Sequence, residues 1–305
     1  MNRDQRYGFI CLVIGAVCIS FAPIFAKLAV ELDKNFSASP LSPTGSAFWR
    51  MCFSIPVYIV MLRVRKTRLS VPLLDLRQTW GLWLAGFFFA LDIAVWHSSF
   101  ELTTVGNATL LANLSAVVAS ILGFFLFREK FTKLFLLGGL VALIGISGLV
   151  GFSFSMGGKT WVGDLLAIVS ALLYGAYLVS VKSLIRRVGS IELLLWVSAT
   201  SSLFLLATGK LLSAEMMAHS WESWASLLGL ALSSQIIGQL LIAIALGYLP
   251  VGLTSVVLLI QPILVVCLGW VILGETMTPV QILWALIVLA GIYLAKKSVS
   301  PTESA

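Results

Sequence analysis

The chain has 305 residues, 59% of them hydrophobic and 11% charged, with a mean hydropathy of +1.03 and a formal net charge of +7. A soluble domain carries about 25% charged residues, so this composition excludes an ordinary water-facing surface. The basic excess does not indicate a nucleic-acid partner, because its lysines and arginines stand where they orient a membrane protein.

A membrane helix needs about 20 predominantly apolar residues. Ten spans are predicted, near 8–30, 45–62, 80–100, 103–126, 134–152, 163–182, 191–210, 224–247, 251–273 and 279–295, with connections too short for a soluble domain. The first begins like a signal peptide, with Arg3 and Arg6 ahead of an apolar run. That run exceeds 20 residues and lacks a small-residue cleavage site, so it reads as an uncleaved span. Pro23 interrupts it, and Lys27 near its far end is expected to snorkel to the interface. Residues 31–44, with Pro40, Pro43 and several serines, form an irregular connection. Arg50 lies about two turns into the second span, where it either snorkels or attracts a carboxylate or phosphate. Residues 63–79 are a long basic connection.

Asp92, in the third span, is the one acid read as lying deep in any of the ten. A charge at the bilayer centre costs about 2.5–3.5 kcal/mol on insertion scales and needs a reason. Asp92 either couples transport to proton uptake and release, with His97 relaying the proton, or bonds Asn or Ser of a neighbouring helix in a structural role. Trp96 in this span, Asn107 and Asn113 in the fourth, and Tyr174 and Tyr177 in the sixth are solute-binding candidates, since aromatic rings with polar tips grip amphipathic solutes. Packing is the alternative role for each. Ala108, Ala112, Ala116 and Ser120 line one face of the fourth span, and Gly138, Ala142 and Gly145 one face of the fifth, which allows close helix approach. Gly157-Gly158-Lys159-Thr160 looks like the end of a phosphate-binding loop, but Ser153 stands where that loop needs glycine. Residues 213–223 are read as a structural loop. Gln235 and Gln239 lie one turn apart in the eighth span and either bind solute or brace helices. Cys11, Cys18, Cys52 and Cys267 form no close pair, so no disulfide framework, metal site or cofactor is expected.

Residues 102–146 and 248–292 resemble each other in one ungapped register, 146 positions apart. It pairs Gly106 with Gly252, Gly123 with Gly269, Glu129 with Glu275 and Thr132 with Thr278. About five spans separate the copies, and an odd displacement inverts the second in the membrane, as in many secondary transporters. In this register Gly238 is the mate of Asp92, so only one half carries the carboxyl. With a cytoplasmic N-terminus, fifteen lysines and arginines fall inside, against Lys34, Lys159 and Lys210 outside. This bias predicts cytoplasmic termini.

Phe48-Trp49-Arg50, the stretch from Thr103 to Leu111, Glu129, Gly274-Glu275 and Gln261-Pro262, in this order on ten spans, resemble the drug/metabolite transporter superfamily, in its EamA-type branch. The resemblance covers nearly the whole chain. It implies spans 1, 3, 4, 6, 8 and 9 around a central cavity, and metabolite movement by alternating access. Where the family has a counterpart of Pro262 in the fourth span, this chain has Ala116, which argues against symmetric bending of the fourth and ninth helices.

The expectation is an all-α membrane protein of ten helices in two inverted five-helix repeats, 1–155 and 156–297, with a cytoplasmic tail, 298–305. It sits in an inner membrane as a monomer or homodimer and moves a small organic metabolite. Export of amino acids or related metabolites, on the resemblance, is the first reading. An importer or exchanger of anionic, nucleotide-like metabolites and a non-transporting receptor or scaffold are the alternatives. An intramembrane protease is disfavoured, since neither an aspartate pair nor HExxH is present.

Overall fold

Large apolar side chains face outward and small polar ones inward, the reverse of a water-soluble protein. Leu137, Leu140, Leu143 and Ile144 are exposed on one helix and Ile282, Leu283 and Leu286 on another, while Ser46, Ser54, Ser198, Thr200, Ser201 and Ser234 are buried. With no water in a bilayer core, helices satisfy their own backbone and internal neighbours satisfy the polar side chains. Thus the Ser54 hydroxyl bonds that of Ser198, 2.9 Å away, and Ser201 donates to the Gly86 carbonyl at 2.9 Å.

The computed structural model describes residues 3–66, 76–127, 133–155, 158–248, 257–258 and 260–297, and no strand occurs among them. The first span is α1 (Arg3–Ser20) and α2 (Ala22–Asp33), broken just ahead of Pro23. The second is α3 (Pro43–Val64) and the third α4 (Leu76–Ser99). The fourth is α5 (Val105–Ala112) and α6 (Ser115–Phe127), the fifth α7 (Lys133–Ser155), the sixth α8 (Thr160–Val188) and the seventh α9 (Ser190–Leu211). The eighth comprises α10 (Trp221–Leu230), a π-helical segment (Ala231–Gly238) and α11 (Gln239–Tyr248). The ninth is α12 (Ile260–Leu273) and the tenth α13 (Pro279–Lys297). Six helices are long and apolar enough to cross a membrane, and four shorter apolar ones complete ten spans.

The fourth span breaks at Asn113–Leu114 although Ala116 replaces the expected proline. Asn113 itself ends α5, its side-chain amide donating to the Thr109 carbonyl at 2.8 Å. An Asn that bonds its own backbone supplies the interruption that a proline would have made.

Contacts between helices obey the repeat. The first span packs on the eighth as the third packs on the sixth, and the first meets the ninth as the sixth meets the fourth. The second against the seventh, the fourth against the ninth and the fifth against the tenth are each their own mates. The pattern is that of two five-helix halves related by a pseudo-twofold axis. At the fourth–ninth crossing, Gly106 faces Val266 and Gly269 faces Val105. The fifth–tenth contact is close-packed: a Cβ on Gly291 would run into the Ala142 backbone, and one on Gly145 would meet Val288. Gly145 and Ala142 of the predicted small stripe therefore seat the tenth helix.

Gly291→Leu should cost about 1–3 kcal/mol by overpacking, whereas Gly139→Ala, with open space around it, should be neutral or slightly stabilising. Unfolding of the two purified variants by heat or denaturant checks the contrast.

Candidate functional site

Four helices bring polar groups to one buried level. On α3, Arg50 is 3% exposed, which rules out the snorkelled position. Its Cζ lies 5.7 Å from the centre of the Phe89 ring of α4. Neither Nε nor Nη1 of Arg50 has a hydrogen-bond partner among the described residues. Asp92, one turn beyond Phe89, is also buried and accepts a 2.6 Å bond from Ser170 of α8 through Oδ1. That is the neighbouring-helix bond anticipated for a structural Asp92. Arg50 and Asp92 lie within electrostatic reach of each other, without a salt-bridge contact among the described residues.

Ser170, Tyr174 and Tyr177 share one face of α8, at the spacing i, i+4, i+7. Tyr177 stacks on Phe89 at 4.5 Å, and Tyr174 lies 5.5 Å from Tyr177. Tyr174 stands beside Gln239 of the eighth span. Gln235 is fully buried, and neither polar atom of its side chain has a partner among the described residues. Its backbone carbonyl accepts a 2.6 Å bond from the Tyr58 hydroxyl of α3. A π-helical turn displaces carbonyls from the ordinary helical ladder and recurs at functional sites; here one such carbonyl is held by Tyr58.

Arg50, Asp92, Tyr174, Tyr177, Gln235 and Gln239 thus converge. Tyr58, which sequence reasoning missed, joins them; its only signal was a place eight residues after Arg50, on the same helical face. Trp96 and His97 lie about one turn beyond Asp92. His97 places Nδ1 3.3 Å from the Ser46 hydroxyl, and Trp96 packs edge-on against Phe100 at 4.9 Å. Asn107 and Asn113 stand elsewhere: Asn107 lies beside Asp164 of α8, and Asn113 serves the break in the fourth span. Asp92 is the acid in mid-span but is not alone in being buried, since Asp33, Asp164 and Glu192, near the ends of their helices, are buried too. Two clefts of about 300 and 190 Å³ lie apart from this level, one around Trp80 and Arg187 and the other around Leu62 and Gly189.

One end of the bundle, the end reached by Asp33, is tied together by ionic and hydrogen-bonded contacts. Lys27 is paired rather than snorkelled: its Nζ meets Glu275 Oε1 at 2.7 Å, joining the first span to the end of the ninth. Gly274, at φ +67°, ends α12 in the left-handed conformation, and the Glu275 amide turns back to the Gly269 carbonyl at 3.1 Å. Glu275 Oε2 then accepts the Val105 N–H at 2.9 Å, capping α5 of the other half. Trp49, Phe53 and Trp224 cluster at the same end, with 4.7 Å between the two indoles. The 213–220 connection is irregular, as expected, and is tied down. Asp33 accepts from the backbone N–H groups of Leu41, His219 and Ser220 and meets His219 Nδ1 at 3.0 Å, while Trp49 donates to the Met216 carbonyl at 2.7 Å.

Removing one partner of a buried ion pair costs about 3–5 kcal/mol. With Lys27 and Glu275 side chains 16% and 14% exposed, screening moves the expectation for Glu275→Gln to the low end, about 3 kcal/mol. The apolar double variant Lys27→Met/Glu275→Leu should regain much of it, as read from unfolding curves of the purified proteins.

A model of the EamA-like transporter family matches residues 6–151 and again 161–296. A solved structure described only as "Crystal structure of protein" superposes with a TM-score of 0.66, covering 98% of this chain and 99% of that one at 18% identity, a likeness of fold. No curated protein matches the chain.

Proposed function

Because the chain belongs to the EamA-like transporter family, within the drug/metabolite transporter superfamily, we propose that it carries a zwitterionic amino acid or a related small metabolite out of the cell by alternating access. The observation that carries this reading is the Arg50 guanidinium, buried with two N–H-bearing nitrogens unpartnered among the described residues, at the same level as the Asp92 carboxylate. A guanidinium clamps a carboxylate through directed N–H bonds, and a carboxylate receives an ammonium. Phe89, Tyr174 and Tyr177 supply apolar walls, and the Gln235 amide a donor and an acceptor. Trp96 stands beyond them.

The repeats 1–155 and 156–297 are the two moving halves, with 298–305 as a tail. The chain lies in an inner membrane with both termini cytoplasmic, as a monomer or homodimer. The Lys27–Glu275 pair then holds the two halves together on the outer side, and parting it is the step that releases solute outward. Import or exchange of anionic, nucleotide-like metabolites is the second reading, favoured by the same arginine.

Proton coupling through Asp92, relayed by His97, is part of the proposal. A proteoliposome uptake screen over a metabolite library, run with and without a pH gradient, tests substrate and coupling together. With the responding solute, Arg50→Lys should weaken apparent affinity ten- to hundredfold, since a bond to a charged group is worth about 1.5–3 kcal/mol and lysine cannot make the forked contact. Asp92→Asn should make flux indifferent to the pH gradient; an unchanged pH response would remove Asp92 from the coupling.

A further inference from the structure

A second polar cluster lies outside the solute group, where the fourth, fifth and sixth spans meet. Gly163 lets α8 approach the entry to α5 so closely that a Cβ there would lie 2.8 Å from the Thr103 nitrogen. The next residue, Asp164, is 0% exposed. Its Oδ1 accepts a 2.7 Å bond from the Thr103 hydroxyl. Ser153 of α7 and Asn107 of α5 stand beside the same carboxyl. Yet the Ser153 hydroxyl, both polar atoms of the Asn107 side chain and Asp164 Oδ2 have no partner of hydrogen-bonding geometry among the described residues, and all three residues are fully buried. No lysine, arginine or histidine pairs with Asp164 among the described residues. A carboxylate so enclosed requires compensation, because an isolated buried charge is among the costliest features a fold can carry.

We propose that Asp164, Asn107, Ser153 and Thr103 form a binding site for a monovalent hard cation of sodium size. The donor set is one carboxylate, one amide oxygen and two hydroxyl oxygens. The single carboxylate balances a single positive charge. Calcium takes six to eight oxygens, commonly with several carboxylates, and magnesium demands octahedral geometry with retained waters. Soft metals call for thiolate or imidazole, and the set contains neither. Asn107 and Ser153 come from two helices and Asp164 from a third, so a cation held among them fixes the sixth span against the fourth and fifth. Ser170, which holds Asp92, lies six residues farther along α8. Occupancy of the cation site is thereby linked mechanically to the solute level. This link rests on the transport reading, whereas cation binding itself does not.

The test uses the purified full-length protein, without solute. Its unfolding midpoint is followed through titrations of NaCl, KCl and choline chloride at constant ionic strength, and bound ²²Na⁺ is counted directly. The expected result is a saturable stabilisation by sodium that choline does not give, with ²²Na⁺ binding lost at least tenfold in Asp164→Asn and reduced in Ser153→Ala. Should Asp164→Asn fail to fold, Ser153→Ala and the wild-type salt comparison carry the test. Equal responses to NaCl and choline chloride, or no retained ²²Na⁺, overturn the proposal. So does a stability that varies with pH but is blind to sodium, since the carboxyl then holds a proton. Sodium binding without any effect of a sodium gradient on flux would leave the site and remove only its link to transport.

Discussion

The structure depends on one constraint: inside a bilayer a polar group has no water to turn to, so every polar side chain in a span must face protein. That constraint explains why the interior is unusually polar. Serines and threonines pair across helices or return to the preceding turn, as Ser20, Thr200 and Ser202 do. Once these are paired, what stands out is the few groups that are not. Arg50, Gln235 and the cluster at Asp164 are buried and incompletely bonded. In a water-excluding environment such groups persist where a ligand or a conformational change completes them.

The arrangement that permits movement follows from the same economy. Lipid is as apolar as leucine, so helices associate through close contact of small residues rather than by burying apolar surface. Gly145, Gly291 and Ala142 fasten the fifth span to the tenth, which sets a rigid pair beside the central helices. The closure at the Asp33 end is different in kind. It is ionic and hydrogen-bonded, built from Lys27–Glu275 and from Asp33 against the 213–220 connection, and such contacts can be exchanged for others at modest cost. Both kinds of contact join the two halves: close packing at the fifth and tenth spans, which can serve as a pivot, and exchangeable polar contacts at the Asp33 end.

Much of this was legible in the sequence. Hydropathy gave the spans because a 30 Å slab imposes a length, and the 146-residue register announced the duplication that the symmetric contacts display. Arg50, Asp92, the two tyrosines and the two glutamines could be named because polar residues in apolar runs are conspicuous. What escaped depends on partners distant in the chain or on backbone detail. Lys27 was read as snorkelling because nothing local shows Glu275 waiting 248 residues away. Nothing local marks Tyr58, whose hydroxyl donates to the π-helical carbonyl of Gln235, 177 residues away. The break in the fourth span was discounted for want of a proline, although Asn113 makes it. Asp164 sits so near the start of its span that burial could not be read from position, nor could its place beside Asn107, a candidate for either solute binding or packing.

The central claim is that the two halves must part at the Lys27–Glu275 contact for solute to pass. In a variant whose native cysteines are replaced, Lys27→Cys and Glu275→Cys can be joined by a bifunctional thiol reagent with a cleavable linker, and flux measured in proteoliposomes before and after cleavage. The account predicts that flux falls to background when the two positions are joined and returns when the linker is cut. Undiminished flux through fully cross-linked protein would contradict it.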